Sequence, residues 1–446
     1  MFQRSFDILM DHGGAGTLGD LAQTIAAIRS LKAVLPGCRI SIKWNAAEAP
    51  PSLGQDGTYL GPSAFLSGPQ TLVGRLAARP GFWWPSRVLL WGAAVSAMLG
   101  AISHRYFGLA LVRRGPLTKF ISRFARADAF VIAGNGGLTD TFAYGGLLHF
   151  CTEVACAAFL GKPVILTGQG LGPIRSPAWR CFAGFCLRRA TYITTREAHS
   201  LCLARQLRLP PSKCVLGVDD AHVLARPRQH NAGVSAFLAT CARPVFTLNL
   251  REDDYVEAES DFPARLAKAF DRVLAETGGT LVYIPMLTAR RREEALFAAF
   301  LTHLERREQA RILPLQFADF AAVSATQAVA DLAVGCTYHF LLFALAAGVP
   351  ALGIYFSDYY RQKLTGLMAH YGVRAGTVAG RNTSASELAR CIRAAWVDRQ
   401  ATRVVLERRR NELQALHAAT YTKVAAIVTA TPSYWRNRMG QETQRQ

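Results

Sequence analysis

Apolar positions along the chain fall into two alternating signatures. Short apolar runs ending in turn residues occur at FDILM (6–10), RISIKW (39–44), AFVIAG (129–134), PVILTG (163–168), TYITTR (191–196) and KCVLGV (213–218). Runs of this length and β-branched content read as buried strands. Between them lie segments with helical spacing, such as LAQTIAAIRSLKAVL (21–35) and the stretch around 149–160. Strand and helix in alternation predict a parallel, doubly wound sheet.

The polar stretch ARPRQHNAG (225–233), followed by ARP (242–244), interrupts this rhythm. The rhythm then restarts with VFTLNL (245–250), TLVYIPM (280–286), RILPLQ (311–316), DLAVGC (331–336) and ALGIYF (351–356). The fold expected is therefore α/β, with two Rossmann-like domains facing across a cleft, the natural place for a ligand. Residues 1–228 form the first domain, 243–430 the second, and 431–446 a polar tail. The last helical stretch, about 386–428, carries ERRRNE (407–412) as a solvated face.

Composition narrows the classes. The chain has 446 residues, 50% of them hydrophobic, enough for more than one sizeable core. Its formal charge of +20 points to anionic partners: nucleic acid, an acidic lipid surface or a phosphorylated substrate. No zinc-finger spacing, RNP-like aromatic pattern or basic heptad region is present, so no nucleic acid partner is expected. The ten cysteines are scattered inside apolar text, as buried hydrophobes of a reducing compartment are. No signal-like apolar segment opens the sequence, which sets a cytoplasmic expectation. The segment 82–112 qualifies it. VLLWGAAVSAMLGAISH (88–104) has no formal charge and is flanked by Arg87 and Arg105. It is short for a membrane span, and reads either as a packed core helix or as an interfacial one on the inner face of the cell membrane.

Candidate chemistry gathers at strand ends. GGAGTLGD (13–20) opens the first helix, with Gly19 and Asp20 at its start. AGNGGLTD (133–140) contributes Gly136 and Gly137, and GQGLGPI (168–174) contributes Gly170. Three glycine-rich turns on one sheet edge suggest a floor of backbone N–H groups suited to an anion. Asp20 equally suits the first turn of a helix, where a carboxylate meets the dipole. Point charges follow: Arg196 in TTRE (194–197), Arg251 in NLRE (249–252), His149 in YGGLLHF (144–150) and Lys363 after DYYRQ. Surface positions at strand ends carry such residues too. In GCTYHFLLFALAAGVPALGIYF (335–356) a buried strand, a turn and a short helix place Thr337, Tyr338 and His339 where open parallel sheets bind ligands. A histidine satisfied by its own backbone is the alternative there. No His, Asp or Cys cluster has metal spacing in sequence, so no metal is expected.

The order of these motifs resembles the polysaccharide pyruvyl transferases. The resemblance runs from GTLGDLAQTIAAI through AFVIAGNGGLTD, GKPVILTGQGLGP, ITTREAHSLCLARQL, VLGVDDAHVL and TLNLRE to the block at 330–367. It implies a fold similar to B-type glycosyltransferases, with the acceptor on the first domain and the donor on the second. It also implies transfer of the enolpyruvyl skeleton of phosphoenolpyruvate onto a sugar as a ketal, without a separate cofactor. His339 corresponds to an active-site histidine and Arg196 to an active-site arginine, while Tyr338, Lys363, Arg251, His149 and the glycines are substrate-binding candidates. Where many members have Arg-x-His, this chain has Thr337-Tyr338-His339, which leaves Arg361 or Lys363 to supply the charge. The acceptor expected is a sugar or lipid-linked oligosaccharide of a bacterial surface polysaccharide, with an anionic membrane surface as a further partner. A nucleotide-sugar glycosyltransferase and a membrane-associated scaffold are the competing readings.

Overall fold

The computed structural model describes residues 5–11, 17–43, 58–59, 83–108, 115–224, 232–251, 261–286, 291–313, 320–374 and 376–431. The chain divides into two compact units. One comprises Met1–Ala15, Gln23–Asp220 and His417–Gln446; the other comprises Gly16–Ala22 and Ala221–Leu416.

The first unit is built on a seven-stranded sheet in the order β3-β2-β1-β4-β5-β6-β7. Its strands are β1 (Asp7–Asp11), β2 (Arg39–Lys43), β3 (Thr58–Tyr59), β4 (Ala129–Ile132), β5 (Val164–Gln169), β6 (Tyr192–Thr195) and β7 (Cys214–Leu216). Every described pairing in it is parallel. β4 and β5 are buried along their whole length, as central strands covered on both faces must be. The helices are α1 (Leu18–Val34), α2 (Trp83–Phe107), α3 (Pro116–Arg126), α4 (Leu148–Phe159), α5 (Pro177–Leu187) and α6 (Ala198–Gln206). Proline opens α3 and α5, where its missing N–H costs nothing.

The second unit repeats the plan with six strands in the order β10-β9-β8-β11-β12-β13. These are β8 (Val245–Asn249), β9 (Thr280–Tyr283), β10 (Ala310–Ile312), β11 (Leu332–Gly335), β12 (Ala351–Tyr355) and β13 (Thr377–Ala379). Their described pairings are also parallel. Between and after them come α7 (Ala232–Ala239), α8 (Phe262–Thr277), α9 (Arg291–His303), α10 (Phe320–Val329), α11 (Tyr338–Ala346), α12 (Asp358–His370), α13 (Ala385–Val397) and α14 (Arg399–Ala430). In each sheet the order reverses beside the first strand, the switch point at which doubly wound folds bind ligands.

The α/β class and the two Rossmann-like sheets stand as the sequence pattern predicts. The division of the chain is less simple than a single cut near 228–243. The segment 16–22 groups with the second unit, and 417–446 with the first. The reason is visible in α14, whose later turns bury Tyr421, Val424 and Val428 and hydrogen-bond through Tyr421 to Asp220 of the first unit at 3.0 Å. Residues 225–231, 12–16 and 432–446 lie outside the described residues, and with them part of the expected junction, part of the first glycine turn and most of the polar tail.

Candidate active site

In the second unit the site is set by two neighbouring strands. β8 and β11 pair in register, Asn249 opposite Gly335, so the residues just beyond them emerge side by side. Arg251 is two positions past one and His339 four past the other. The Arg251 backbone N–H reaches the Cys336 sulfur; burial nonetheless dominates there and pushes the Cys336 thiol up to about 12.

Thr337 is the N-cap residue of α11, yet its side chain does not cap the helix. Its hydroxyl donates instead to Asn249 Oδ1 at 2.7 Å. Asn249 in turn donates to the Ile284 carbonyl at 2.8 Å and to Glu293 at 3.3 Å, and Glu293 accepts from Met286 N at 2.7 Å. All of these polar groups are buried or nearly so, which makes the network costly to break. It fixes the turn that aims Tyr338 and His339, at a helix N-terminus carrying partial positive charge.

The start of α1 completes this corner. Thr17 accepts from Asp20 N at 3.1 Å, an N-cap bond, and Leu18 N donates to the Met286 carbonyl at 2.9 Å. Gly19 then lies against the His339 ring so closely that a β-carbon there would stand 2.1 Å from Cγ and Nδ1. Asp20 sits in the first helical turn. His339 is half-buried and packs edge-on to Tyr338, with ring centroids 5.2 Å apart. The Lys363 ammonium lies 5.4 Å from the centroid of the Tyr338 ring, 5.1 Å from that of Tyr359 and 5.6 Å from that of Tyr360. It also donates to the Tyr359 hydroxyl at 3.3 Å. Arg361, by contrast, is exposed and paired with Asp358. Lys363, unlike Arg361, thus lies beside the histidine turn.

In the first unit the sequence candidates meet other partners than expected. Gly137 N donates to Asn135 Oδ1 at 2.7 Å, and Gly170 N donates to the Asn135 carbonyl at 2.8 Å. Gly134 N and Gly168 N donate to Asp220 and Thr194. These amides, expected to form an anion cradle, are spent on internal acceptors, and the two turns are stitched together by a Leu138–Leu171 bridge. Gly136 lies half-buried in the same turn.

Arg196 is buried against Gly170. Its guanidinium pairs with Asp219 at 3.0 Å and lies 3.4 Å from Glu197, so its charge is already met. Asp219 also accepts from Gln23 at 2.7 Å. Asp220 collects Thr167 at 2.7 Å, Tyr421 at 3.0 Å and Gly134 N at 2.9 Å.

His149 is also drawn inward. It projects from α4 into a fully buried group with Asp11, Lys43 and Glu153. Its Nε2 is 3.3 Å from Asp11 and 3.5 Å from Glu153; Lys43 is 3.1 Å from Asp11 and in contact with Glu153. Burial pushes the Asp11 carboxyl up, but Lys43 and His149 outweigh it and hold the group well below the usual carboxylate range. Burial lowers both Lys43 and His149 against the pull of Asp11. Asp11, His149 and Glu153 have the spacing of a metal site, which no sequence interval announced. The Lys43 ammonium touches both carboxylates, where a cation would be wanted.

The sequence reading missed Asn249, Glu293, Asp11, Lys43, Asp219 and Asp220. Asp11 and Lys43 were legible as charged last residues of apolar strands. The Asp219–Asp220 pair sits in the quoted VLGVDD stretch.

Comparison with known proteins supplies the family. The sequence model of the family described as Polysaccharide pyruvyl transferase matches residues 18–358. No curated protein matches the chain. Among solved structures, HepE of Anabaena in complex with UDP is similar at TM-score 0.55 and 13% identity, covering 96% of this chain and 100% of that one. UGT71G1 of Medicago truncatula complexed with UDP-glucose is similar at TM-score 0.57 and 11% identity, over 96% and 99% of the two chains. UDP-GlcNAc 2-epimerase of Methanocaldococcus jannaschii follows at TM-score 0.52 and 11% identity, over 88% and 93%. At such identities the likeness is one of fold.

Proposed function

Since the chain belongs to the polysaccharide pyruvyl transferase family, we propose that it moves a pyruvyl group from phosphoenolpyruvate onto a sugar of a bacterial surface polysaccharide precursor, forming a ketal. The observation that supports this donor is the corner at the ends of β8 and β11. There Arg251 follows β8 beside the turn that carries His339, Lys363 lies over the Tyr338 ring next to that histidine, and Gly19 packs against the imidazole. A small anion bearing a carboxylate and a phosphate needs such a convergence of cations and N–H donors.

The chemistry asks little more. A proton adds to the methylene carbon of the enolpyruvyl group, turning it into a methyl and leaving the central carbon electrophilic. One sugar hydroxyl bonds to that carbon, the bond to the phosphate oxygen breaks, and a second hydroxyl closes the ketal. Of the two hydroxyl protons released, one balances the proton taken up by the methyl and the other leaves with phosphate. His339 is the acid in this reading, since imidazole donates and recovers a proton near neutral pH. Lys363 and Arg251 hold the donor's negative charge, Lys363 taking the part left by threonine at position 337. Phosphoenolpyruvate enters as substrate, and the scheme uses no separate cofactor.

The competing reading is a glycosyltransferase using a nucleotide sugar. Thermal unfolding separates the two, because a ligand at about 100 times its Kd stabilises by about 2.7 kcal/mol. Phosphoenolpyruvate should raise the melting temperature and UDP-sugars should not; the reverse result overturns the pyruvyl reading. Mass spectrometry of a lipid-linked acceptor should then show the added pyruvyl group.

A further inference from the structure

The helix α2 has two faces of opposite character. Leu90, Ala94, Ala97 and Ala101 recur at helical spacing and are fully or almost fully buried. Trp91 extends that contact by stacking on Trp179 at 5.2 Å and meeting Phe182 at 4.8 Å, both on α5. Gly100 lets Ile121 of α3 approach the helix backbone. The opposite stripe is apolar as well, and it faces outward. Val88, Val95, Leu99 and Tyr106 are 58%, 49%, 56% and 68% exposed. Gly92 completes the stripe, at steps of four, three, four and seven residues.

Neither α2 nor the helices α3 and α5 carries an acidic residue. Between Asp56 and Asp128 the sequence has no Asp or Glu, and between Glu153 and Glu197 it again has none. Those two stretches supply α2, α3 and α5. Lys119 and Arg126 on α3, Arg180 on α5 and Arg188 just after it are exposed. From this pairing of an outward apolar stripe with acid-free basic neighbours, we infer that α2 lies in the plane of an anionic lipid bilayer, its exposed face among the acyl chains and the flanking cations on the headgroups.

Two other occupants fit less well. A second copy of the chain would bring one-sign basic helices against themselves about a two-fold axis, which repels. A membrane span is allowed by length and hydropathy for Pro85–Phe107. It would require stripping the alanine face from the protein core, leaving the aromatic cluster around Trp91 and Trp179 uncovered.

Flotation with vesicles tests the inference. The protein should bind phosphatidylcholine vesicles containing about a third phosphatidylglycerol, bind pure phosphatidylcholine far less, and be released by high salt. Val95→Glu with Leu99→Glu should weaken binding by roughly ten-fold or more while leaving the melting temperature and gel-filtration volume unchanged. Lys119→Gln with Arg126→Gln should weaken the salt-sensitive part, and decides the matter alone if the glutamate variant does not fold. Equal binding to both vesicle types, or undiminished binding by the variants, overturns it. So does retention in native membranes through an alkaline carbonate wash, which marks a span. A dimer split by the glutamate substitutions, with no vesicle binding by the native protein, assigns the face to a second copy.

Discussion

Gly19 and His339 occupy one contact: no side chain larger than hydrogen fits at position 19 while the imidazole stays where it is. Alanine at 19 carries no backbone strain and would favour helix α1 by about 0.5–1 kcal/mol. Gly19→Ala should therefore melt at or near the native temperature while turnover falls by roughly ten-fold or more, because a displaced ring no longer meets the reacting carbon. Thermal unfolding beside a steady-state assay checks this; equal loss of stability and activity would assign Gly19 to packing alone.

His339→Asn keeps a similar shape and loses the proton shuttle. On the acid reading, turnover drops on the order of 100-fold or more, donor affinity changes little, and one limb of the pH–rate profile disappears. Near-native turnover in a folded variant sinks the assignment.

Two cations with different surroundings should behave differently. Arg196 is buried with Asp219 at 3.0 Å, and its loss strands that carboxylate. Arg196→Ala is expected to cost about 3–5 kcal/mol of stability. Lys363 is half-buried among tyrosine rings. Lys363→Ala should leave melting near native and raise the donor concentration for half-maximal rate by roughly ten-fold, with Lys363→Arg in between. Denaturant unfolding and donor titration of the two variants read both quantities, and an Arg196→Ala protein of native stability with a shifted donor dependence would reverse the roles.

The buried group of Asp11, Lys43, His149 and Glu153 makes stability depend on pH in a set direction. Both Asp11 and His149 have folded-state pKa values held below their ordinary ones, 3.8 and 6.5. The unfolded chain therefore takes up protons first as pH falls, and the stabilisation is lost in acid. The melting temperature should decline below about pH 6.5 as unfolded His149 protonates, and further below about pH 4 as unfolded Asp11 does. His149→Gln should flatten the first step. Lys43→Met, which leaves two carboxylates without their ammonium, should cost about 3–5 kcal/mol at neutral pH. A melting temperature flat from about pH 7 to about pH 4 would contradict the assignment.

Most strands of the two sheets were legible because they are apolar runs closed by a turn, a pattern set by burial on two faces. β3 and β13 escaped notice: Thr58–Tyr59 and Thr377–Ala379 are too short to show any period. His339, Lys363 and Arg251 could be placed at one sheet edge from spacing alone, since strand ends in a parallel sheet share an edge. Which charges were already satisfied could not be read. Arg196 follows β6 and His149 opens α4, but their partners Asp11 and Lys43 close other strands and Asp219 follows β7, and only the fold brings them together. The glycine turns misled for a related reason. Glycine permits an N–H to meet a ligand, and equally lets two loops approach and bond to each other, as Asn135 and Gly170 do.

The last turns of α14 bear on how the protein is made. The hydroxyl of Tyr421 satisfies Asp220, and His417 lies 3.5 Å from the same carboxylate, so the first unit contains residues that a ribosome adds only after those of the second. Its sheet strands emerge early, yet its buried aspartate must wait for almost the entire second unit to be synthesised. A fragment stopped before 417 should leave that carboxylate with Thr167 and the Gly134 N–H but without Tyr421, so the first unit gains its full set of buried partners only after the second unit's strands and helices have been made.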